Sequence, residues 1–144
     1  MERVILVDEN DNPLGTMEKM EAHEKGVLHR AFSVFIFNNN GEMLLQQRAF
    51  SKYHSGGLWT NTCCSHPREG EATIEAAHRR LQEEMGFDCE IEKAFDFIYK
   101  KELDKGLMEH EFDHVFIGKY EGEDKFKPNE DNAYVYKSIQ DVLN

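Results

Sequence analysis

Residues 65–87 read SHPREGEATIEAAHRRLQEEMGF, and they contain the clearest helix signal in the sequence. Apolar residues recur there at helical spacing: Ile74, Ala77, Leu81 and Met85. Gly86 is suited to end the helix as a C-cap. We therefore predict a helix over residues 72–85 that packs Ile74, Ala77 and Leu81 against a sheet. Arg80 and Glu84 share a face four residues apart, and we expect them to point toward a cleft.

Strand patterns dominate the rest of the sequence. Apolar, aromatic or β-branched runs predict strands over residues 4–7, 31–37, 42–48, 90–99, 108–120 and 133–137. The turn cluster NNNG (38–41) predicts a β-hairpin between the second and third of them. A short helix is predicted over 17–26, and a terminal helix over 138–143 with Ser138 as its N-cap. The expected fold is α/β (α+β): one domain, residues 1–144, with a mixed β-sheet sandwiched between helices.

The composition excludes several classes of protein. With 144 residues, a net charge of −11 and 40% hydrophobic residues, the chain fits one folded domain rather than a disordered protein. The acidic balance argues against nucleic acid or an anionic membrane as a partner. The sequence has no apolar run of about 18 residues and no signal-peptide pattern. Three cysteines make a poor disulfide framework, so we expect a cytoplasmic protein.

Three other segments contain pairs of residues suited to metal binding or nucleophilic chemistry. They are His23 with His29, Cys64 with His66, and Glu109 with Glu111. Side chains alternate along a strand, so the two members of each of the last two pairs point the same way. Three imidazoles and two carboxylates would form a mixed nitrogen and oxygen shell for a six-coordinate divalent metal. A structural zinc site would more often be rich in cysteine.

Plainer interpretations remain open for each of these features. A charged helix is often only a solvated surface helix, and Glu-x-Glu on a strand is often a solvated face. Isolated histidines are usually surface or hydrogen-bonded polar residues, and we assign that role to His54, His78, His110 and His114. Cysteines in apolar segments are usually small buried residues, and we favour that role for Cys63 and Cys89.

The spacing of residues 65–87 resembles the Nudix box, glycine–x5–E–x7–REUxEExGU, where U is aliphatic. The positions that match are Glu71, Arg79, Leu81, Glu83, Glu84, Gly86 and Phe87. Ser65 replaces the first glycine, and Arg80 replaces the glutamate after the arginine. In Nudix hydrolases that glutamate belongs to the metal-binding carboxylates. Arg80 therefore disfavours hydrolysis and favours holding a diphosphate without cleaving it.

A narrower resemblance, over nearly the whole chain, is to the type I isopentenyl-diphosphate isomerase family of the Nudix superfamily. Its most specific parts are LLQQRAFSKYHSGGLWTNTCCSHP (44–67) and MEHEFDHVF (108–116). The family's activity, interconversion of isopentenyl and dimethylallyl diphosphate in isoprenoid biosynthesis, is the one the resemblance implies. Many members continue beyond the segment QDVL (140–143) into a helix with an aromatic residue over the pocket, so how this pocket closes is open.

The resemblance also implies roles for individual residues. Five match the ligands of a divalent metal, which could be Mn²⁺, Mg²⁺ or Zn²⁺: His23, His29, His66, Glu109 and Glu111. Glu84 matches a ligand of Mg²⁺ on the substrate diphosphate, and four basic residues match diphosphate contacts: Lys19, Arg48, Lys52 and Arg80. Cys64 matches the catalytic cysteine and Tyr99 a tyrosine that assists it. We favour Glu111, with Tyr99 and the metal, as proton donor and Cys64 as acceptor, although Tyr99 or a bound water could carry the proton instead.

Two rival functions remain at this point. A Nudix hydrolase of a nucleoside diphosphate derivative would need the carboxylate that Arg80 replaces and would not need Cys64. A catalytically silent module that binds metal or diphosphate is the other. The expected partner is a small diphosphate substrate, and the sequence allows a monomer or a homodimer.

Overall fold

The computed structural model describes residues 2–47, 59–60, 62–121 and 133–138. In this part of the chain the elements follow in the order β1 (Arg3–Val7), β2 (Pro13–Glu18), α1 (Lys19–Lys25), β3 (His29–Phe37), β4 (Met43–Gln47), β5 (Trp59–Thr60), β6 (Cys63–Ser65), α2 (Thr73–Met85), β7 (Ile91–Glu102), β8 (Met108–Lys119) and β9 (Ala133–Lys137). Neither helix in these ranges is long and apolar enough to cross a membrane.

The sheet is organised around β3. On one side β3 pairs in parallel with β8, from His29 opposite Glu111 to Phe37 opposite Lys119. On the other side it pairs antiparallel with β1, β6 and β4 in turn. β7 extends the sheet antiparallel beyond β8, and β9 and β5 both pair with β4. The sheet is therefore mixed, as the sequence predicts.

The two faces of the sheet have different chemistry because side chains alternate along each strand. Phe32, Val34 and Ile36 of β3 face the main apolar core together with Cys63. α2 covers this face with four buried residues, which are Ala76, Ala77, Leu81 and Met85. The opposite face carries His29 and Ser33 of β3, beside Glu111 and Cys64. α1 contacts that side, so helices lie on both faces of the sheet.

The predicted helix over 72–85 is confirmed, and Gly86 ends it with φ = 78° in the left-handed region. One predicted core contact is wrong: Ile74 is 39% exposed, while Ala76 is fully buried. Ile74 lies in the first turn of α2, at the end of the buried face that Ala76, Ala77, Leu81 and Met85 form. The helix buries its alanines and Leu81 instead.

Most predicted strands are confirmed, including the hairpin in which Phe37 of β3 pairs with Met43 of β4. The short helix near the N-terminus is also present, but it begins at Lys19 because residues 17–18 belong to β2. β2 itself is not predicted from PLGTME, which has little apolar alternation; it forms by pairing with the apolar β1. Residues 139–143 of the predicted terminal helix lie outside the described residues.

Candidate active site

Three imidazole rings and one carboxylate meet on the polar face of the sheet. His23 comes from α1, His29 begins β3, His66 directly follows β6, and Glu111 lies on β8 opposite His29. The ring centroids are 5.5 Å apart for His23 and His29, 5.1 Å for His29 and His66, and 6.2 Å for His23 and His66. Candidate ligand atoms of His23, His29 and Glu111 all lie within 4.8 Å of one another. All four side chains are buried.

Backbone carbonyls fix the protonation of two of these rings. Nδ1 of His23 lies 2.8 Å from the carbonyl oxygen of Lys19, and Nδ1 of His29 lies 2.9 Å from that of Val27. A carbonyl oxygen only accepts, so each Nδ1 carries a proton, and each Nε2 presents a lone pair when the ring is neutral. Within the described part of the chain, the buried Nε2 of His29 has no hydrogen bond, and it lies 3.4 Å from the Glu111 carboxylate. Two electron-rich groups at that distance fit a bound divalent cation.

His66 completes the group but differs from the other two rings. Its Nε2 lies 3.1 Å from Oε2 of Glu111. Among the described residues its buried Nδ1 makes no hydrogen bond, and Oε2 of Glu2 lies 3.7 Å away. Burial opposes charging of the ring, yet the carboxylates of Glu111 and Glu2 outweigh it and raise the pKa of His66. Burial likewise opposes the charge on Glu111, but His29 and His66 hold the pKa of that carboxyl below its usual value.

Tyr99 joins the two glutamates of β8. Its hydroxyl lies 2.8 Å from Glu109 and 2.5 Å from Glu111, and Tyr99 pairs directly with Glu111 in the β7–β8 ladder. Burial and the two carboxylates raise the pKa of Tyr99 far above its usual value, so the phenol keeps its proton. Burial and the neighbouring Glu111 also raise the pKa of Glu109. The Tyr99 phenol thus donates its hydrogen bond to the two carboxylates at the edge of the imidazole cluster.

The two adjacent cysteines lie on opposite faces of the sheet. Cys63 pairs with Val34 and is fully buried in the core, where burial raises the pKa of its thiol well above the usual value. Cys64 pairs with Ser33 on the face that carries His29 and Glu111, and it is only partly buried. The face predicted for each cysteine is therefore the one observed.

A separate charged group forms along α2. Arg80 lies 2.7 Å from Glu83 and 2.5 Å from Glu84, and Gln46 donates to Glu84 at 3.1 Å. The buried Nε of Arg80 has no hydrogen bond to the residues that are described. Glu84 therefore contacts Arg80 and Gln46 rather than the imidazoles. Arg48 and Lys52, two of the predicted diphosphate contacts, lie outside the described residues.

A cavity of about 570 Å³ joins this charged group to the imidazole cluster. Its lining includes four arginines: Arg3, Arg68, Arg79 and Arg80. Two carboxylates, Glu2 and Glu69, and His66 line it as well, and Lys19 lies 3.7 Å from Glu2. The lining gives this acidic chain a locally basic cavity, which suits an anionic ligand.

The histidines assigned a plain polar role have ordinary partners in the described structure. His78 lies 2.6 Å from Asp88, His110 3.1 Å from the carbonyl oxygen of Gly26, and His114 2.9 Å from Asp11. His54 lies outside the described residues.

Sequence reasoning missed three polar residues near the site: Glu2, Gln46 and Asp113. Asp113 accepts a hydrogen bond from the Ser33 hydroxyl at 2.8 Å, and burial raises the pKa of Asp113 to about 7. Extending the strand alternation from Glu109 and Glu111 would have placed Asp113 on the same face. Nothing in the sequence singles out Glu2 among 28 acidic residues.

Known proteins match the chain closely. The NUDIX domain family model matches residues 27–143. An isopentenyl-diphosphate Delta-isomerase of Pectobacterium atrosepticum is 56% identical over 139 residues, which are 96% of this chain and 78% of that protein. One from Serratia proteamaculans is 52% identical over 141 residues, or 98% of this chain and 79% of that protein. The chain is a NUDIX-domain member of the isopentenyl-diphosphate Delta-isomerase family. Both the Nudix superfamily and the narrower isomerase family predicted from the sequence are confirmed.

Solved structures support the fold of this isopentenyl-diphosphate Delta-isomerase family member. A crystal structure of a Deinococcus radiodurans protein matches with a TM-score of 0.79 at 17% identity, covering 99% of this chain and 86% of that one. The MutT protein from Methanosarcina mazei matches with a TM-score of 0.65 at 20% identity, covering 81% and 80%. At such low identity these likenesses concern the fold alone, and they confirm the predicted Nudix-like sheet.

Proposed function

We propose that the protein converts isopentenyl diphosphate into dimethylallyl diphosphate for isoprenoid biosynthesis, as a single catalytic domain acting in the cytoplasm. The relatives' names supply the substrate. The observation that carries the proposal is the convergence of three buried imidazoles on Glu111, beside Tyr99 and on the same sheet face as Cys64.

The residues of the cluster fit a divalent metal. Five would hold it: His23, His29, His66, Glu109 and Glu111. The fit rests on the orphaned Nε2 of His29, which faces a buried carboxylate, and on the carbonyl-bonded Nδ1 of two rings. A bound Mg²⁺, Mn²⁺ or Zn²⁺ would supply positive charge that balances the buried carboxylates. Glu84 would bind a second ion, Mg²⁺, against the substrate diphosphate.

The proton donor lies on the side of the site formed by Tyr99 and Glu111. Isomerisation adds a proton to the terminal alkene carbon and leaves a tertiary carbocation. An alkene is a very weak base, so the acid must be held in place and shielded from water. The short contact between the Tyr99 hydroxyl and Glu111 holds one proton between phenol and carboxylate at this position. The positive charge of a divalent ion held by Glu109 and Glu111 would offset these two carboxylates and lower the pKa of the Tyr99 phenol. We therefore assign delivery of that proton to this pair.

The proton acceptor is Cys64, from the neighbouring strand. Its thiolate takes a proton from the carbon next to the diphosphate-bearing carbon. The electrons of that carbon–hydrogen bond form the new double bond, so atoms and charge balance. Carboxylates near the carbocation stabilise it while it exists.

The diphosphate end is held by basic residues. Arg80 lines the basic cavity, and Lys19 lies beside Glu2 of its lining. Arg48 and Lys52 complete the proposed set. Arg80 already neutralises Glu83 and Glu84, so this part of α2 presents fewer free carboxylates than a hydrolytic metal centre requires. The arrangement therefore favours holding the diphosphate intact.

One assay tests the proposal against its rivals. The purified protein is incubated with isopentenyl diphosphate, and separately with nucleoside diphosphate derivatives, in Mg²⁺ or Mn²⁺, and products are followed by NMR. We expect the allylic diphosphate from the first and no phosphate release from the second. Phosphate release without the allylic product would establish a hydrolase, and neither product would leave a binding module.

A further inference from the structure

His66 is the one ring of the imidazole cluster whose outer nitrogen has no backbone partner. Nδ1 of His23 and of His29 each donate to a main-chain carbonyl, which fixes both rings with Nε2 inward. The buried Nδ1 of His66 has no hydrogen bond to any residue that the structure describes, although its Nε2 faces Glu111 as the others do. Something other than the backbone must fix the orientation and protonation of this ring.

Glu2 lies where its carboxylate can fix the orientation and protonation of the His66 ring. Its Oε2 lies 3.7 Å from Nδ1 of His66, and it lines the same cavity. A rotation of the half-exposed side chain that moves the carboxylate by about 1 Å brings it to hydrogen-bond distance. The ring is buried and enclosed, so the mobile partner is the glutamate.

The backbone of Glu2 is anchored even though its side chain is partly exposed. Its carbonyl oxygen accepts the Lys19 N–H at 3.0 Å, at the point where β2 meets α1. Its other carboxylate oxygen lies 3.7 Å from Nζ of Lys19. Glu2 thus sits between a proposed metal ligand and a proposed diphosphate contact.

We propose that Glu2 is a positioning residue: it accepts the Nδ1–H of His66, so that Nε2 of that ring binds the divalent metal, and its second oxygen aligns Lys19. This inference rests on the proposed metal site. An anionic acceptor on the outer nitrogen fixes the tautomer and makes the inner nitrogen a stronger ligand. Glu2 has no role in proton transfer to the substrate.

The test measures Mn²⁺ affinity directly, by titration of the metal-free protein. Glu2→Ala removes the acceptor, and Glu2→Gln keeps an accepting oxygen but loses the charge. Glu21→Gln is the matched control, because it removes the same charge from nearby α1, where Glu21 pairs with Lys25 on the surface. We expect the dissociation constant to rise about tenfold for Glu2→Ala, less for Glu2→Gln and not at all for Glu21→Gln. Equal affinities in the parent and both Glu2 variants would overturn the inference.

A double-mutant cycle shows whether Glu2 acts through His66. In a His66→Ala background, Glu2→Ala should cause no further loss of affinity, because the two residues act as one unit. A full additional loss in that background would overturn the positioning role. Lys19→Met is expected to raise KM for the diphosphate substrate and to leave Mn²⁺ affinity unchanged.

The cycle also separates this inference from the proposed function. If His66→Ala leaves Mn²⁺ affinity unchanged, the assigned metal site is wrong, and the role of Glu2 fails with it. If His66→Ala weakens binding while the Glu2 variants match Glu21→Gln, the metal site stands and only the inference about Glu2 fails. Circular dichroism of each variant checks that the fold is retained.

Discussion

At the scale of single residues, Cys63 packs in the core, whereas Cys64 lies on the face of the proposed active site. Cys64→Ala should abolish isomerisation while substrate still binds, because the diphosphate contacts remain. Cys63→Ala should keep most of the activity and cost about 1 kcal/mol of stability through a small core cavity. Turnover and proton exchange from deuterated water into substrate and product measure both effects. Near-parental turnover of Cys64→Ala, or an inactive Cys63→Ala, would contradict the assigned roles.

His66 provides the direct test of the metal site. His66→Ala removes one of five proposed ligands, so we expect the affinity for the metal to fall by one to two orders of magnitude. The metal that stays bound after dialysis measures this loss. His78→Ala serves as the control, since His78 pairs with Asp88 on the surface of α2. Full retention of tightly bound metal by His66→Ala would mean that the cluster does not hold the ion.

The site residues differ in how far the sequence could reveal them. The pairs Cys64–His66 and Glu109–Glu111 could be assigned to one face because alternation along a strand is a local rule. The closeness of His29 to Glu111 depends on which strands pair, and the three-ring cluster depends on where α1 lies against the sheet. Such long-range contacts leave no local pattern, and Glu2 is the clearest example.

At the scale of elements, α2 offers a comparison within one helix. Leu81 is fully buried, whereas Ile74 is 39% exposed on the first turn. Leu81→Ala should lower the free energy of unfolding by about 2–5 kcal/mol, and Ile74→Ala by less than about 1 kcal/mol. Urea denaturation of the two variants measures this. Equal losses would mean that the first turn packs as the spacing of its apolar residues predicts.

The elements themselves were mostly predictable. α2, β3, β7 and β8 have long, strong patterns, and a helix cap or a turn cluster marks several of their ends. β2 has an exposed sequence, so it becomes a strand only because β1 offers hydrogen bonds to it. Burial of Ile74 was mispredicted because helical spacing gives a direction around the axis but not how far the sheet extends along it.

At the scale of the whole molecule, Asp113 should make stability depend on pH. Burial raises its pKa from the ordinary 3.8 to about 7, against the opposing hydroxyl of Ser33. Between these values the native state binds more protons at this site than the unfolded chain does. The contribution of Asp113 to the free energy of unfolding therefore falls as pH rises through this range.

Asp113→Asn isolates this effect, because asparagine can still accept from Ser33 and carries no charge. In the metal-free protein, with EDTA present, Asp113→Asn should match the parent near pH 4 and exceed its free energy of unfolding by about 2 kcal/mol or more near pH 7. Urea denaturation at several pH values gives the difference. A constant difference across this range would show that Asp113 ionises normally in the folded protein.

The parallel pairing of β3 with β8 sets an order of events during synthesis. His29 and Glu111 are partners although about eighty residues separate them along the chain. A ribosome releases β3 long before its parallel neighbour exists, so the edge of β3 that pairs with β8 stays without its hydrogen bonds, exposed to aggregation and to chaperones. Closing so long a loop is slow, and we expect it to limit the folding rate. A nascent chain that already contains all three imidazoles therefore still lacks Glu111, the carboxylate that they surround. We expect high-affinity metal binding only after β8 has paired with β3, late in folding.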